Sequence, residues 1–309
     1  MNILVTGGAG FIGSNVVDAL LDLGHSVFVV DNLSTGKKEN INPNAVFYEV
    51  DITHKEKLED VFKEAQPEIV FHIAAQIDVR KSVENPQFDA EVNIIGSINV
   101  FELSVRYGVK RIIFSSTGGA LYGEPKILPA KEDSPIEPLS PYGVSKFAPE
   151  QYLNYFNRLY GIERVILRYG NVYGSRQDPL GEAGVIAIFT GRTLNDLQPV
   201  IYGDGNQTRD YIFVEDVVRA NILAIEGKGG IYNIGTGIET SVNDLVKMFS
   251  EILNKHIEPV YAPPRKGEVQ RIALDTSKAK KELGFTPKFS LEEGLKRTVD
   301  WYNKMKGRV

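Results

Sequence analysis

VTGGAGFIG, running from Val5 to Gly13, decides how the rest of this chain is read. It follows a short apolar run, Asn2–Thr6, and opens a helical pattern at Phe11–Leu23. Gly8, Gly10 and Gly13 fit G-x-G-x-x-G, while Gly7, Gly10 and Gly13 fit G-x-x-G-x-x-G. Under either reading the glycines permit a tight turn and let backbone approach a pyrophosphate, whose charge is stabilised by helix N-terminal amides. The next apolar run, Ser26–Asp31, ends in an aspartate about 20 residues on, as a dinucleotide fingerprint requires. A carboxylate there accepts hydrogen bonds from a ribose diol and repels a 2′-phosphate, so NAD is expected rather than NADP. The alternative is that Asp31 only caps its own loop, DNLSTG. Asp51, at the end of EVDIT, carries two readings as well: a neighbour of the adenine, or a turn aspartate at a strand end.

Outward from that turn, β-branched runs alternate with helical patterns. Val46–Val50, Ile69–Ala74, Arg111–Ser116 and Glu163–Arg168 join the first two runs as buried strands. Lys55–Glu64, Phe88–Tyr107 and Tyr142–Leu159 are the intervening helices. Strands apolar throughout, each followed by a helix, imply a parallel sheet covered on both faces. The expectation is an α/β fold: a doubly wound Rossmann-type parallel sheet with a smaller α/β substrate-binding C-terminal domain. Residues 1–170 form the nucleotide-binding part. After about Asn171 glycine- and proline-rich turns interrupt the pattern, and residues 171–309 read mainly as a second domain, with segments near 210–235 returning to the first. Its last helices are placed at Val242–Leu253, Thr276–Leu283 and Leu291–Met305.

The chain has 309 residues, 42% of them hydrophobic, enough for one large domain or two ordinary ones. A formal charge of −5 and dispersed lysines and arginines argue against nucleic acid or a membrane surface as partners. Without cysteine there are no disulfides, thiolate metal sites or cysteine nucleophiles. His25, His54, His72 and His256 show no ligand spacing, so no metal is expected. No apolar run approaches the roughly 20 residues of a membrane span, and a soluble, cytoplasmic protein is expected.

SPYGVSKFAP, Ser140 to Pro149, holds the chemistry. Tyr142 and Lys146 stand four residues apart, on one helical face. A phenol beside a fixed cation can act as a base near neutral pH; a packed tyrosine beside a solvated lysine is the plainer explanation of the same spacing. Pro149 falls inside this helix, deletes the bond to the Ser145 carbonyl, and leads us to expect a kink.

With the glycine turn, Asp31, FSST at Phe114–Thr117, Tyr142-x-x-x-Lys146, LRYGNVYG at Leu167–Gly174, RDYIFVEDVV at Arg209–Val218, YNIGTG at Tyr232–Gly237 and DTSKAKKELGF at Asp275–Phe285 in one order, the chain resembles the extended short-chain dehydrogenase/reductase family over essentially its whole length. Within that family it is most similar to the UDP-glucose 4-epimerases. The resemblance implies Tyr142 as catalytic base and acid, Lys146 as the cation that lowers its pKa and holds the nicotinamide ribose, and Thr117 as the hydroxyl on the reacting sugar oxygen. Ser115 and Ser116 read as ordinary strand-end hydroxyls. For the cofactor it implies Gly7, Gly10, Phe11, Ile12 and Gly13 at the diphosphate, Asp31 and Asn32 after the second strand, Asp51 and Ile52 flanking the adenine, Ala74 and Gln76 along the nicotinamide half, and the cofactor-facing Asn93. For a UDP-sugar it implies Asn171, Arg209 and Arg265 at the diphosphate, Tyr202 beside the uracil and Glu268 at the ribose. The family's asparagine-leucine pair is missing where this chain reads GEAGVI, Gly181 to Ile186. A homodimer is implied, built on the helices Phe88–Tyr107 and Tyr142–Leu159, the second carrying Tyr152, Tyr155, Phe156 and Leu159.

Relatives that dehydrate or decarboxylate carry an acid after the threonine, whereas here Thr117 is followed by Gly118-Gly119-Ala120. The expected activity is therefore interconversion of UDP-galactose and UDP-glucose through a transient 4-keto sugar. Alternatives are another NAD-dependent nucleotide-sugar epimerase or decarboxylase, acting on N-acetylated or uronate sugars, or an NAD-binding regulator without turnover. Ile272, three before Asp275, corresponds to a position flanking the sugar 2-substituent, where its bulk would favour plain hexoses over N-acetylated ones. Equally, Ile272 could be a core residue of a short strand.

Overall fold

The computed structural model describes residues 1–179, 184–264 and 269–306. In chain order the first half comprises β1 (Asn2–Thr6), α1 (Phe11–Asp22), β2 (Ser26–Asp31), β3 (Val46–Glu49), α2 (Lys55–Ala65), β4 (Ile69–His72), α3 (Val79–Glu84), α4 (Pro86–Ala90), a π-helical turn (Glu91–Ile95), α5 (Gly96–Arg106), β5 (Arg111–Thr117), α6 (Gly118–Leu121) and α7 (Pro141–Tyr160). The second comprises β6 (Glu163–Tyr169), β7 (Asn171–Tyr173), α8 (Val185–Leu194), β8 (Val200–Tyr202), β9 (Thr208–Arg209), β10 (Tyr211–Phe213), α9 (Val214–Leu223), β11 (Gly230–Ile234), β12 (Thr240–Ser241), α10 (Val242–Ile252), β13 (Val260–Ala262), α11 (Ser277–Leu283) and α12 (Leu291–Lys306).

Seven strands form one sheet in the order β11-β6-β5-β4-β1-β2-β3, every neighbouring pair parallel. Strand order reverses between β1 and β4, the place where doubly wound sheets open a crevice at the strands' carboxyl ends. Both faces are covered, which is why the central strands are apolar throughout. On one face Val16, Val17 and Leu20 of α1 and Val217, Ala220 and Ala224 from α9 and its end pack on Ile3, Val5 and Phe71. On the other, Leu58 and Phe62 of α2, Val100 and Phe101 of α5, and Leu153 and Phe156 of α7 pack on Leu4, Val70 and Phe114. Full burial of each such side chain contributes roughly 1.5–3 kcal/mol. A separate core, with Ile186, Phe189, Ile201, Phe213, Leu245, Phe249, Leu295 and Val299, holds the C-terminal elements together. Phe11, at the start of α1, packs against this second core as well, so the glycine turn lies where the two parts meet.

Every strand and helix expected in the first half is present, with ends moved by a residue or two. β11 (Gly230–Ile234) pairs with β6 in the main sheet. Two differences bear on the site. The single helix expected over Phe88–Tyr107 starts at Pro86, capped by the Asn85 side chain on Phe88 N, and is interrupted by the π turn. That turn contains Asn93, whose amide bonds both backbone groups of Gln76. The irregular stretch expected after Asn171 contains two helices, α8 and α9, that its glycine-rich surroundings conceal. α7 begins at a Ser140 cap on Gly143 N, with Pro141 in its first turn, and passes without interruption through Pro149 to Gly161, whose φ is +74°. Among the described residues no helix is long and apolar enough to cross a membrane.

Candidate active site

The turn after β1 is built for glycine. Gly7 has φ +73°, and a Cβ on it would lie 2.7 Å from Ala74 N. A Cβ on Gly13 would lie 2.0 Å from the Gly7 carbonyl oxygen, so α1 can approach β1 this closely only without a side chain there. Gly10 caps α1 with no side-chain bond and no acid follows in the first turn, leaving the amides of Phe11, Ile12 and Gly13 to an anion. An anionic pyrophosphate fits this turn. Asp31, at the end of β2, accepts from Ala9 N at 3.0 Å and Leu33 N at 2.8 Å. Burial raises its pKa, and those two bonds oppose the rise. Both readings of Asp31 thus have a physical basis: it orders its loops, and each oxygen keeps lone-pair capacity for a diol. Asp51 accepts from Thr53 N and Oγ1 and from Asn32 Nδ2 at 2.7 Å, which is the turn-aspartate geometry. Ile52 is buried, its side chain against Gly96 and its carbonyl accepting from Asn99.

Tyr142 and Lys146 lie one turn apart on α7, beside the end of β5. Thr117, at the end of β5, stands beside the Tyr142 phenol. Burial and the negative charge of Asp89 push this phenol up, and the Thr117 hydroxyl pulls it down. Burial brings the Lys146 ammonium down to about 8, against the opposing charges of Glu150 and Asp89. At neutral pH that ammonium still carries its charge and favours tyrosinate, and the ring of oxidised nicotinamide, when bound, would add a second positive charge. Lys146 Nζ stands 4.4 Å above the Phe114 ring centroid. Ser115 bonds Tyr169 and Ser116 bonds Glu150, both inside the fold, as expected of strand-end hydroxyls. Ala74 N donates to the Thr6 carbonyl, and Gln76 and Asn93 are bound to each other.

On the C-terminal side Asn171 donates its backbone N–H to Asp210 O, while its Oδ1 is buried without a partner, 3.2 Å from where a Cβ on Gly119 would stand. Arg209 Nη1 bonds the Thr208 carbonyl. Tyr202 borders a cavity of about 440 Å³ with Gly203, Gln207, Ala262, Pro264 and Gln270. Arg265 and Glu268, and the Gly181–Ala183 part of GEAGVI, lie outside the described residues. Ile272 is 1% exposed and packs with Tyr122, Ala130 and Leu274. That placement favours the core reading over a place on the pocket wall.

Some residues of the site were not read from sequence. Glu150 and Arg168, 0% and 3% exposed at their side chains, form a two-pronged ion pair behind Lys146. Asp89 is buried beside Tyr142. Asp210 accepts from Thr236 N and Oγ1, Gly237 N and Leu274 N, clamping three loops. His72, bonded to Thr6 and Ser97, is held neutral with a pKa of about 3 by burial and the nearby Lys146 charge. Glu150 had a signal: it continues the four-residue step from Tyr142 to Lys146.

A glycine turn with amides free for an anion, a strand-end acid, and a Thr–Tyr pair with a buried lysine at one edge of a doubly wound sheet are the features of a dinucleotide-dependent enzyme acting at a hydroxyl-bearing carbon. The chain belongs to the NAD dependent epimerase/dehydratase family, which it matches over residues 3–235. It is similar to a UDP-glucose 4-epimerase of Thermotoga maritima, solved with UDP-glucose, at 56% identity and a TM-score of 0.98, covering 99% of this chain and 100% of that one. A Thermus thermophilus UDP-glucose 4-epimerase solved with NAD is 46% identical with a TM-score of 0.94, covering 98% and 99%. The UDP-glucose 4-epimerase of Mycolicibacterium smegmatis is 43% identical over 98% of both chains.

Proposed function

We propose that the chain interconverts UDP-galactose and UDP-glucose, keeping NAD bound from one cycle to the next. The observation that carries this reading is that Thr117, Tyr142 and buried Lys146 come together at the end of β5, with an acid-free Gly118-Gly119 step after Thr117. NAD, when bound, supplies the acceptor for the hydride leaving C4 of the sugar and gives it back. Gly7, Gly10 and Gly13 with the amides of Phe11 and Ile12 hold its diphosphate, and Asp31 its ribose. Tyr142 takes the proton of the 4-hydroxyl and later returns one, and Thr117 holds that oxygen in line. Lys146 keeps positive charge beside the phenol, so that tyrosinate is stabilised where the proton leaves.

The transient 4-keto sugar accepts hydride on either face once it has turned. Nothing further is asked of an acid, and the Leu274 side chain crowds the first position after Thr117. A Cβ on Gly118 would lie 2.6 Å from Leu274 Cδ1. Elimination or decarboxylation, which need such a group, are therefore not supported. We assign Asn171, Tyr202, Arg209 and, outside the described residues, Arg265 and Glu268 to the UDP group, held by residues 171–309 while residues 1–170 hold NAD. Work in the cytoplasm, where UDP-sugars and NAD are found, is part of the same reading. The test is to incubate the purified protein with UDP-galactose, without added cofactor, and assay UDP-glucose. Product is expected; no product, or product only on adding NADP, overturns the proposal.

A further inference from the structure

Asp89 is a charged group at this site with no task in the reaction above. It lies in α4, one turn before Asn93, and is 1% exposed. Its Oδ1 accepts from Gln76 Nε2 at 2.7 Å and Asn93 Nδ2 at 3.2 Å. Its Oδ2 is buried with no hydrogen-bond partner. An orphaned carboxylate oxygen is expensive unless a nearby positive charge compensates it. The π turn that follows α4 is a geometry concentrated at functional sites. Through Asn93 the carboxylate is linked to Ser145 Oγ, 2.9 Å from Asn93 Nδ2, and Ser145 in turn donates to the Tyr142 carbonyl at 3.1 Å. Asp89 is thus wired to the helix turn that joins the two reacting residues.

The groups around Lys146 come from every element packed on it. Tyr142 and Glu150 belong to its own helix, and Asp89 comes from α4. His72 of β4 is neutral, Phe114 of β5 offers a ring face, and Arg168 of β6 stands behind Glu150. Glu150 also raises Lys146, and its two oxygens are bound by Arg168 and the Ser116 hydroxyl. Among the described residues Asp89 has no ion-pair partner of its own. We propose that Asp89 is a positioning residue of the reaction: one oxygen holds Gln76 and Asn93, and the other supplies the negative charge that balances Lys146. The proposal rests on Tyr142 and Lys146 being the reacting pair. With Asp89 counted, tyrosinate and carboxylate match the ammonium and the oxidised nicotinamide ring. After proton and hydride have moved, carboxylate still matches ammonium. Without it the buried pocket keeps one unbalanced positive charge through both halves of the reaction.

The test uses Asp89→Asn, which keeps the shape and loses the charge, and Asp89→Glu, which keeps the charge and displaces the contacts. Competitive acetylation read by mass spectrometry gives the titration midpoint of Lys146 in the protein as purified. That midpoint is expected to fall by about 1 pH unit in Asp89→Asn and to hold in Asp89→Glu. The two limbs of the pH–kcat/KM profile should both move to lower pH in Asp89→Asn, because phenol and ammonium each lose a neighbouring anion. In Asp89→Glu kcat falls while the limbs stay. An unmoved Lys146 midpoint in Asp89→Asn, or identical effects of the two variants, overturns the proposal and leaves Asp89 a scaffold residue. If Asp89→Asn does not fold, Gln76→Leu decides: it removes a neutral contact and must keep the midpoint. The labelling needs no turnover, so a protein inactive on UDP-galactose would sink the epimerase reading without touching this result.

Discussion

Tyr142 is pushed up by burial and by Asp89, so the base role proposed for it would depend on positive charge brought close to it. Tyr142→Phe should lower kcat by about 10²- to 10⁴-fold, the usual worth of a positioned acid–base group, with UDP-sugar affinity kept, as calorimetry would show. Lys146→Ala should move the acidic limb of the pH–rate profile to higher pH. The sign follows from charge: a cation favours tyrosinate, so its loss raises the pKa and demands higher pH for the active form. The spacing of the pair was readable from sequence because one helical turn is a local property. Ile272 shows the opposite. Position relative to Asp275 pointed to the sugar pocket, yet the side chain packs under Tyr122 and Leu274. Ile272→Ala should then cost about 2–5 kcal/mol in urea unfolding, with little change in the preference between UDP-glucose and UDP-N-acetylglucosamine. A relaxed preference at full stability would put Ile272 back on the pocket wall.

α7 and β6 show what holds the pair in place. Glu150, two turns after Tyr142, receives Arg168 Nε at 3.0 Å and Nη2 at 2.6 Å, and Arg168 Nη1 continues to the Tyr122 hydroxyl at 2.9 Å. Pro149 takes away one backbone bond of α7 immediately beside this pair, and the helix nevertheless continues. A buried ion pair adds little net stability against an apolar replacement, but breaking one half of it strands a charge. Arg168→Leu is therefore expected to destabilise the protein by about 3–5 kcal/mol, read from the urea midpoint. It should also reduce activity, because the carboxylate next to Lys146 loses its orientation. An unchanged midpoint would mean that water reaches Glu150. Strand ends belong to this scale too. β5 extends to Thr117 because Thr117 pairs with Tyr169 of β6, a partner no local pattern announces.

For the molecule as a whole, the helices expected to dimerise present an apolar face. Tyr152, Tyr155 and Leu159 of α7 and Ile95 before α5 are exposed, while Phe156, grouped with them by sequence, turns inward onto the sheet core. Exposed apolar side chains grouped on neighbouring helices are what a dimer contact would require. Light scattering at micromolar concentration should give twice the monomer mass of 34.3 kDa, and Tyr155→Glu should reduce it to the monomer value. A monomer for the unmodified protein removes the dimer. The denatured protein should release NAD and no NADP, since the cofactor is regenerated in each turnover and Asp31 disfavours a 2′-phosphate.

By itself the sequence determined the βαβ alternation, the glycine turn with its strand-end acid, and the Tyr142–Lys146 step. Each is a demand made within a few neighbouring residues: apolar periodicity, a positive φ at Gly7, one turn of helix. Only the tertiary structure decided that β11 closes the sheet beside β6, that Ile272 faces inward, and that Asp89, Asn93 and Glu150 gather around Tyr142 and Lys146. Asn93 and Ser145 are 52 positions apart, and Arg168 meets the Tyr122 hydroxyl across 46. Such contacts depend on how strands order themselves in the sheet and how helices settle on it, which is set by burial summed over the whole core and is encoded in no single segment.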